Sequence, residues 1–248
     1  QPSSAASDVY RRQAITTYST TKYIGGHGTT IGGLIVDGGN FDWGKAGADR
    51  QPAMNTPDPC YGGVVWDEQV TKNMGLPFAY LLKLRTTLLR DLGGAMSPFN
   101  AWMFIQGLET LPLRMREHAK NAQAVAEALA ANEKVQSVTY PGLFEGAERE
   151  KADKYMTGGY GALIGFELPG GKEAGSKFID SLELLYHVAN IGDSRSLAIH
   201  PATTTHSQLT PEEQLSAGVT PGYVRLSIGI ENVEDIIADI AQAIDKAS

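Results

Sequence analysis

Cysteine is nearly absent: Cys60 is the only one in 248 residues, so no internal disulfide can form and the chain suits a reducing compartment. No apolar run approaches the roughly 20 residues that a bilayer-crossing helix needs, and the N-terminus carries no apolar signal-peptide core. A cytoplasmic setting is the expectation. Positive charge is also scarce, with 21 Lys and Arg against 28 Asp and Glu, a net charge of −7. No basic cluster exceeds Arg11-Arg12, which argues against a nucleic-acid surface. His200 and His206 are separated by five residues in a Pro/Thr-rich loop, which is no metal-ligand pattern, and both are read as structural. Internal repeats and low-complexity tracts are absent as well.

What is present is glycine next to hydroxyls. Ser19-Thr20-Thr21-Lys22-Tyr23 runs directly into Ile24-Gly25-Gly26-His27-Gly28-Thr29-Thr30-Ile31-Gly32-Gly33. The plain reading of such a run is a flexible loop with a solvated lysine. A nucleotide P-loop fits poorly, because there the Lys-Ser/Thr pair follows the last glycine, whereas Lys22 precedes them. The spacing of Gly26, Gly28 and Gly32 also fails the dinucleotide fingerprint. The chemical reading starts from short hydroxyl donors suited to a phosphate and glycines that let backbone approach a ligand. A desolvated lysine can give up its proton and attack a carbonyl to form a Schiff base. A phosphate-bearing aldehyde cofactor, pyridoxal phosphate, uses both halves of that arrangement.

Along the chain, residues 1–7 read as a loop-like start. Residues 29–37 read as a buried strand entered from the glycine loop. Residues 40–74 are turn-rich and read as an insertion wrapping the active-site entrance, with Tyr61 and Trp66 as packing residues. Helical spacing over 78–92 stops at Gly93-Gly94. Ser97 as N-cap and Pro98 at the first helical position start a helix reaching about residue 132, which Pro112 must kink or reset. Strands are predicted over 135–140, 162–168 and 224–228, and helices over 172–184 and 233–246, the last with Ile236, Ile237, Ile240 and Ile244 on one side. Such alternation implies an α/β sandwich, divided as 1–110 and 111–248. Arg225, inside the apolar strand Tyr223-Val224-Arg225-Leu226-Ser227-Ile228, is either structurally paired or lining a pocket.

The string Ser19-x-Thr21-Lys22-Tyr23-x-x-Gly26-His27 closely resembles the cofactor-lysine motif of the Cys/Met-metabolism pyridoxal-phosphate enzymes, and the resemblance runs from about Ser19 to the C-terminus. Asn40-Phe41-Asp42-Trp43 and the stretch from Ser196 to Leu209 are most similar to the O-acetylhomoserine sulfhydrylase branch; lyase branches typically carry Met where Thr204 stands. The resemblance implies the C-terminal part of a fold type I (aspartate aminotransferase-like) cofactor domain plus a smaller α/β domain. It makes Lys22 the Schiff-base lysine and proton shuttle, and Ser19 and Thr21 phosphate contacts. Arg225 and Ser196 become the contacts to the substrate carboxylate, for which arginine's fork is suited. Arg114, in a segment like the family's interdomain link, is expected to be structural. The implied reaction is γ-replacement on O-acetyl-L-homoserine by sulfide or a small thiol, giving acetate and homocysteine or methionine. Alternatives are γ-lyase or cystathionine γ-synthase chemistry, or an inactive truncated relative. The family usually forms homotetramers of paired dimers. Its upstream stretch carries a stacking aromatic residue, a Gly-Met phosphate turn and an Asp paired with the pyridine nitrogen. Asp8 has neither that spacing nor that context, so the expectation is a C-terminal piece of a longer enzyme or a chain with residues omitted.

Overall fold

The computed structural model describes residues 13–247; the loop-like reading of residues 1–7 and the position of Asp8 lie outside the described residues. The chain forms two compact units. One takes the chain up to Thr20 together with Gly32–Trp102, and the other takes Thr21–Ile31 together with Met103 onward. The glycine loop is thereby grouped with the residues from Met103 onward.

In the first unit, β1 (Ile15–Ser19) pairs antiparallel with β2 (Gly33–Asp37), Ile15 opposite Asp37 and Ser19 opposite Gly33. The expected buried strand is corrected on two counts: pairing starts only at Gly33, and Leu34 and Ile35 are 44% and 36% exposed. A two-stranded ribbon has no second layer to lay over both faces, so apolar content alone does not bury it. The expected turn-rich insertion is largely helical. It contains α1 (Trp43–Arg50), α2 (Pro52–Asn55), a 3-10 turn at Pro59–Tyr61 and a π-helical segment Asp67–Asn73. Local capping explains this: Asp42 accepts a bond from the Lys45 N–H, and Pro52 sits at the first turn of α2. Met54, Trp66, Val70 and Ala79 form a small core there, with Tyr61 edge-on to Trp66 at 5.2 Å. The predicted 78–92 helix appears as α3 (Ala79–Lys83) continued by a π-helical segment Leu84–Arg90, and Gly93, at φ 73°, follows it.

The second unit holds a five-stranded sheet in the order β3-β4-β7-β6-β5, formed by β3 (Ser137–Thr139), β4 (Leu163–Glu167), β5 (Tyr186–His187), β6 (Leu197–Ile199) and β7 (Tyr223–Ser227). Only the β5–β6 pair is parallel. Alternation along β4 and β7 places Ile164, Phe166, Val224 and Leu226 in the core. The same core takes Phe178 from α6 (Gly171–Ser181) and Ile236, Ile240 and Ile244 from α8 (Val233–Ala247). From α4 (Pro98–Ala130) it takes Ala122, Val125, Ala126 and Leu129. Two shorter helices, α5 (Gly146–Tyr155) and α7 (Pro211–Ser216), complete this part. The Ser97-Pro98 start is where the helix begins, and the Ala101 N–H bonds the Ser97 carbonyl.

Pro112 neither ends nor divides α4. Its missing N–H forfeits one bond, but Leu111, Arg114, His118 and Asn121 on the buried side tie the helix down across that point. Asp239 of α8 works as a remote cap. Burial would raise its carboxyl pKa, yet N–H donors from Glu183, Leu184 and Leu185 outweigh that and hold it below the ordinary value.

Candidate active site

Lys22 opens a tight turn in which the Gly26 N–H bonds the Lys22 carbonyl at 2.8 Å. Gly26 takes φ 73°, a backbone state that a side chain would strain. The turn is held from several sides. Tyr23 is half-buried against the sheet core, its ring edge-on to His118 at 5.5 Å, and its hydroxyl bonds Ser227 and the Ala162 main chain. Burial pushes its phenol pKa up further than those bonds pull it down. A side chain at Gly192 would strike the Tyr23 ring, and the Gly192 N–H donates to Ser227 Oγ at 2.9 Å. The Ser194 N–H and hydroxyl both donate to the Gly26 carbonyl at 2.8 Å.

With its main chain fixed, Lys22 extends a partly buried amine to Asn190 Oδ1 at 2.5 Å. Arg225 reaches the same segment from β7: its Nη2 donates to the Ala189 carbonyl at 3.1 Å and, more loosely, to the Asn190 carbonyl at 3.5 Å. The register explains this direction. Val224 and Leu226 point into the core, so Arg225, opposite Gly165 on β4 and Ile199 on β6, points to the other face. The Arg225 Nε is buried and has no acceptor among the described residues. Lys22 and Arg225 are thus brought to one short segment, Lys22 on the Asn190 side chain and Arg225 on the Ala189 and Asn190 carbonyls.

The other expected site residues lie differently. Ser196 is fully buried and its hydroxyl is committed twice, donating to Glu231 Oε2 at 2.9 Å and accepting the Gly229 N–H at 2.8 Å. Glu231 also accepts the Ser196 N–H at 2.6 Å. That is a staple between two loops, and it leaves the hydroxyl no hydrogen to donate to a substrate carboxylate. Asn190, which the sequence reading did not single out, stands beside the lysine instead. Its only sequence signal is its place before Ile191-Gly192, a pattern shared by many loops. Ser19 ends β1 in the first unit and is exposed, and Thr21 opens the second unit.

Two buried histidines border this region without ligand-like surroundings. The Nδ1–H of His118 donates to the Ile228 carbonyl at 2.6 Å, and burial lowers its pKa. His200 bonds Thr203 Oγ1 at 2.9 Å and the Pro221 carbonyl at 2.7 Å, its pKa also lowered by burial. Both of its nitrogens are therefore spent on the fold.

Comparison with known proteins is consistent across sequence and structure. Residues 13–245 match the profile of the Cys/Met metabolism PLP-dependent enzymes. An O-acetyl-L-homoserine sulfhydrylase of Leptospira meyeri is 52% identical over 93% of this chain and 52% of its own length. A homocysteine synthase of Schizosaccharomyces pombe is 48% identical over 94% of the chain and 53% of its own length. A crystal structure of a Campylobacter jejuni protein assigned as an O-acetylhomoserine (thiol)-lyase, carrying a pyridoxyl-lysine monophosphate, matches with TM-score 0.83 and 40% identity, covering 93% of this chain and 53% of that one. The chain spans about half the length of these relatives. No helix among the described residues is long and apolar enough to cross a membrane. By the extent of the profile match and the identity of its relatives, the chain belongs to the Cys/Met metabolism PLP-dependent enzyme family.

Proposed function

We propose that this chain carries the lysine-bearing and carboxylate-binding part of an enzyme that replaces the acetyl ester of O-acetyl-L-homoserine with sulfide or a small thiol. The observation that carries the reading is the convergence of Lys22 and Arg225 on Asn190. The residues present fit the cofactor that the family implies: a primary amine set on a braced turn, and a buried guanidinium N–H on Arg225 that lacks an acceptor. When bound, pyridoxal phosphate supplies an electron sink for charge developing at the substrate's α-carbon.

The chain's own groups then divide the work. Lys22 Nζ provides the attachment point, and once released it takes the proton from the substrate's Cα and handles the proton at Cβ as general base and acid. The Cγ–O bond breaks, acetate departs, and a Cγ–S bond forms with the incoming hydrosulfide. Arg225 holds the α-carboxylate through its planar fork, with the orphaned Nε as one donor. Asn190 Oδ1 aims the lysine amine, and Ser196, whose hydroxyl is already bonded to Glu231 and Gly229, acts as a brace beneath the site. Ser19 and Thr21 are assigned to the phosphate by family resemblance. The same resemblance supplies a homotetramer of paired dimers, and the single cysteine supports a cytoplasmic setting.

Acetate release from O-acetyl-L-homoserine, measured with and without sulfide, tests the reading. Release that depends on sulfide and yields homocysteine is the expected result. Arg225→Lys should raise KM for the amino acid about tenfold or more, because a point charge replaces a two-pronged contact. Sulfide-independent release of α-ketobutyrate would overturn the replacement chemistry.

A further inference from the structure

Arg114 is 5% exposed in the middle of α4 and has no carboxylate partner among the described residues. Its guanidinium is satisfied by oxygens that carry no full charge. Nη1 donates to the Tyr23 carbonyl at 2.8 Å, and Nη2 to the Gly107 carbonyl at 2.7 Å and the Ile24 carbonyl at 3.3 Å. Nε donates to Thr110 Oγ1 at 3.2 Å. Burying a cation without a counter-ion is costly, and holding a helix against a loop needs no charge. Two of the three carbonyls belong to the residues directly after Lys22. Glycines make the approach possible on both sides. A Cβ at Gly26 would collide with the guanidinium, and one at Gly107 would collide with the Ile24 and Gly25 carbonyls.

We infer that Arg114 is a positioning residue for Lys22: by clamping the peptide units that follow the lysine, it sets the direction in which the amine leaves the turn. The inference rests on the reading of Lys22 as the cofactor-bearing amine. Tyr23 is held through its ring and hydroxyl, and Ser194 holds the Gly26 carbonyl. The carbonyls of Tyr23 and Ile24 have Arg114 as their donor, so its removal frees the stretch nearest the lysine while the outer anchors stay. An ammonium in its place offers a single point of charge and cannot span two carbonyls and the Gly107 oxygen together.

The test follows the rate at which added pyridoxal phosphate is trapped on Lys22 by borohydride, mapped by peptide mass, in the unmodified chain, Arg114→Lys, Arg114→Ala and Lys22→Ala. Cooperative unfolding is monitored in each. Arg114→Ala should slow trapping at Lys22 by tenfold or more and leave trapping at other lysines unchanged. Millimolar guanidinium ion should restore at least a third of the rate, where sodium chloride of equal ionic strength does not. Arg114→Lys should remain slowed about fivefold. Trapping at Lys22 within twofold of the unmodified chain in Arg114→Lys overturns the inference. So does a loss in Arg114→Ala that guanidinium does not relieve. If Arg114→Ala does not unfold cooperatively, Arg114→Lys alone decides. Failure of the underlying reading looks different: the main adduct would then map to another lysine and persist in Lys22→Ala.

Discussion

The two units treat apolar residues in opposite ways. In the second, β4 and β7 turn Ile164, Phe166, Val224 and Leu226 under α6, α8 and α4, each at most 1% exposed. In the first, β2 carries an equally apolar sequence, yet Leu34 stands 44% exposed, and Phe99 and Trp102 are 64% and 54% exposed. The first unit keeps its small core in its helical part instead, around Trp66 and Val70. The difference lies in closure rather than composition. A five-stranded sheet with helices against one face can bury alternate residues, and a two-stranded ribbon cannot. The proposed site follows the closed unit: Lys22, Asn190 and Arg225 all belong to it.

Mutations in the two units should therefore differ sharply. Phe178→Ala, at a fully buried position, should destabilise the second unit by about 3–5 kcal/mol in urea unfolding. Ser196→Ala should cost about 1–3 kcal/mol, because the buried Gly229 N–H loses its acceptor and Glu231 loses a donor. Calorimetry should show that loss, and the KM for O-acetyl-L-homoserine should stay within about twofold, unlike the roughly tenfold rise expected for Arg225→Lys. A large KM change for Ser196→Ala would return that residue to the substrate.

Acid should separate the units as well. All five histidines lie in the second unit. Burial depresses the pKa of His118 and of His200, so the unfolded chain takes up protons that the folded one refuses. Their contribution is fully present above the ordinary histidine value of about 6.5 and is lost as pH falls below it, by up to about 1.4 kcal/mol per pH unit for each ring. His118→Gln should flatten that slope in denaturant titrations between about pH 6.5 and 5. A slope unchanged by the substitution would mean that the ring is already protonated when folded. The smallest effect belongs to the first unit: Leu34→Ser on the open ribbon should shift stability by less than about 0.5 kcal/mol. A loss of several kcal/mol there would show that β2 is covered in solution.

Legibility in the sequence tracks the same contrast. Ile236, Ile240 and Ile244 announced α8, and the apolar run around Arg225 announced β7, because local period and core burial agree in the closed unit. The 29–37 strand was misread as buried because its apolar letters say nothing about how many neighbours the sheet has. That α4 would run on past Pro112 was not legible, since the buried contacts that carry it across come from elsewhere in the chain. The partners of Ser196 and Asn190 were hidden for a similar reason. The serine's partner, Glu231, lies 35 residues away, and the asparagine meets a lysine 168 residues earlier.

The most direct measurement of the central claim is the intact mass of the chain after incubation with pyridoxal phosphate and borohydride reduction, followed by peptide mapping. The account predicts one reduced adduct, located on Lys22 and lost in Lys22→Ala. A single adduct on another lysine, or one that persists in Lys22→Ala, would contradict it.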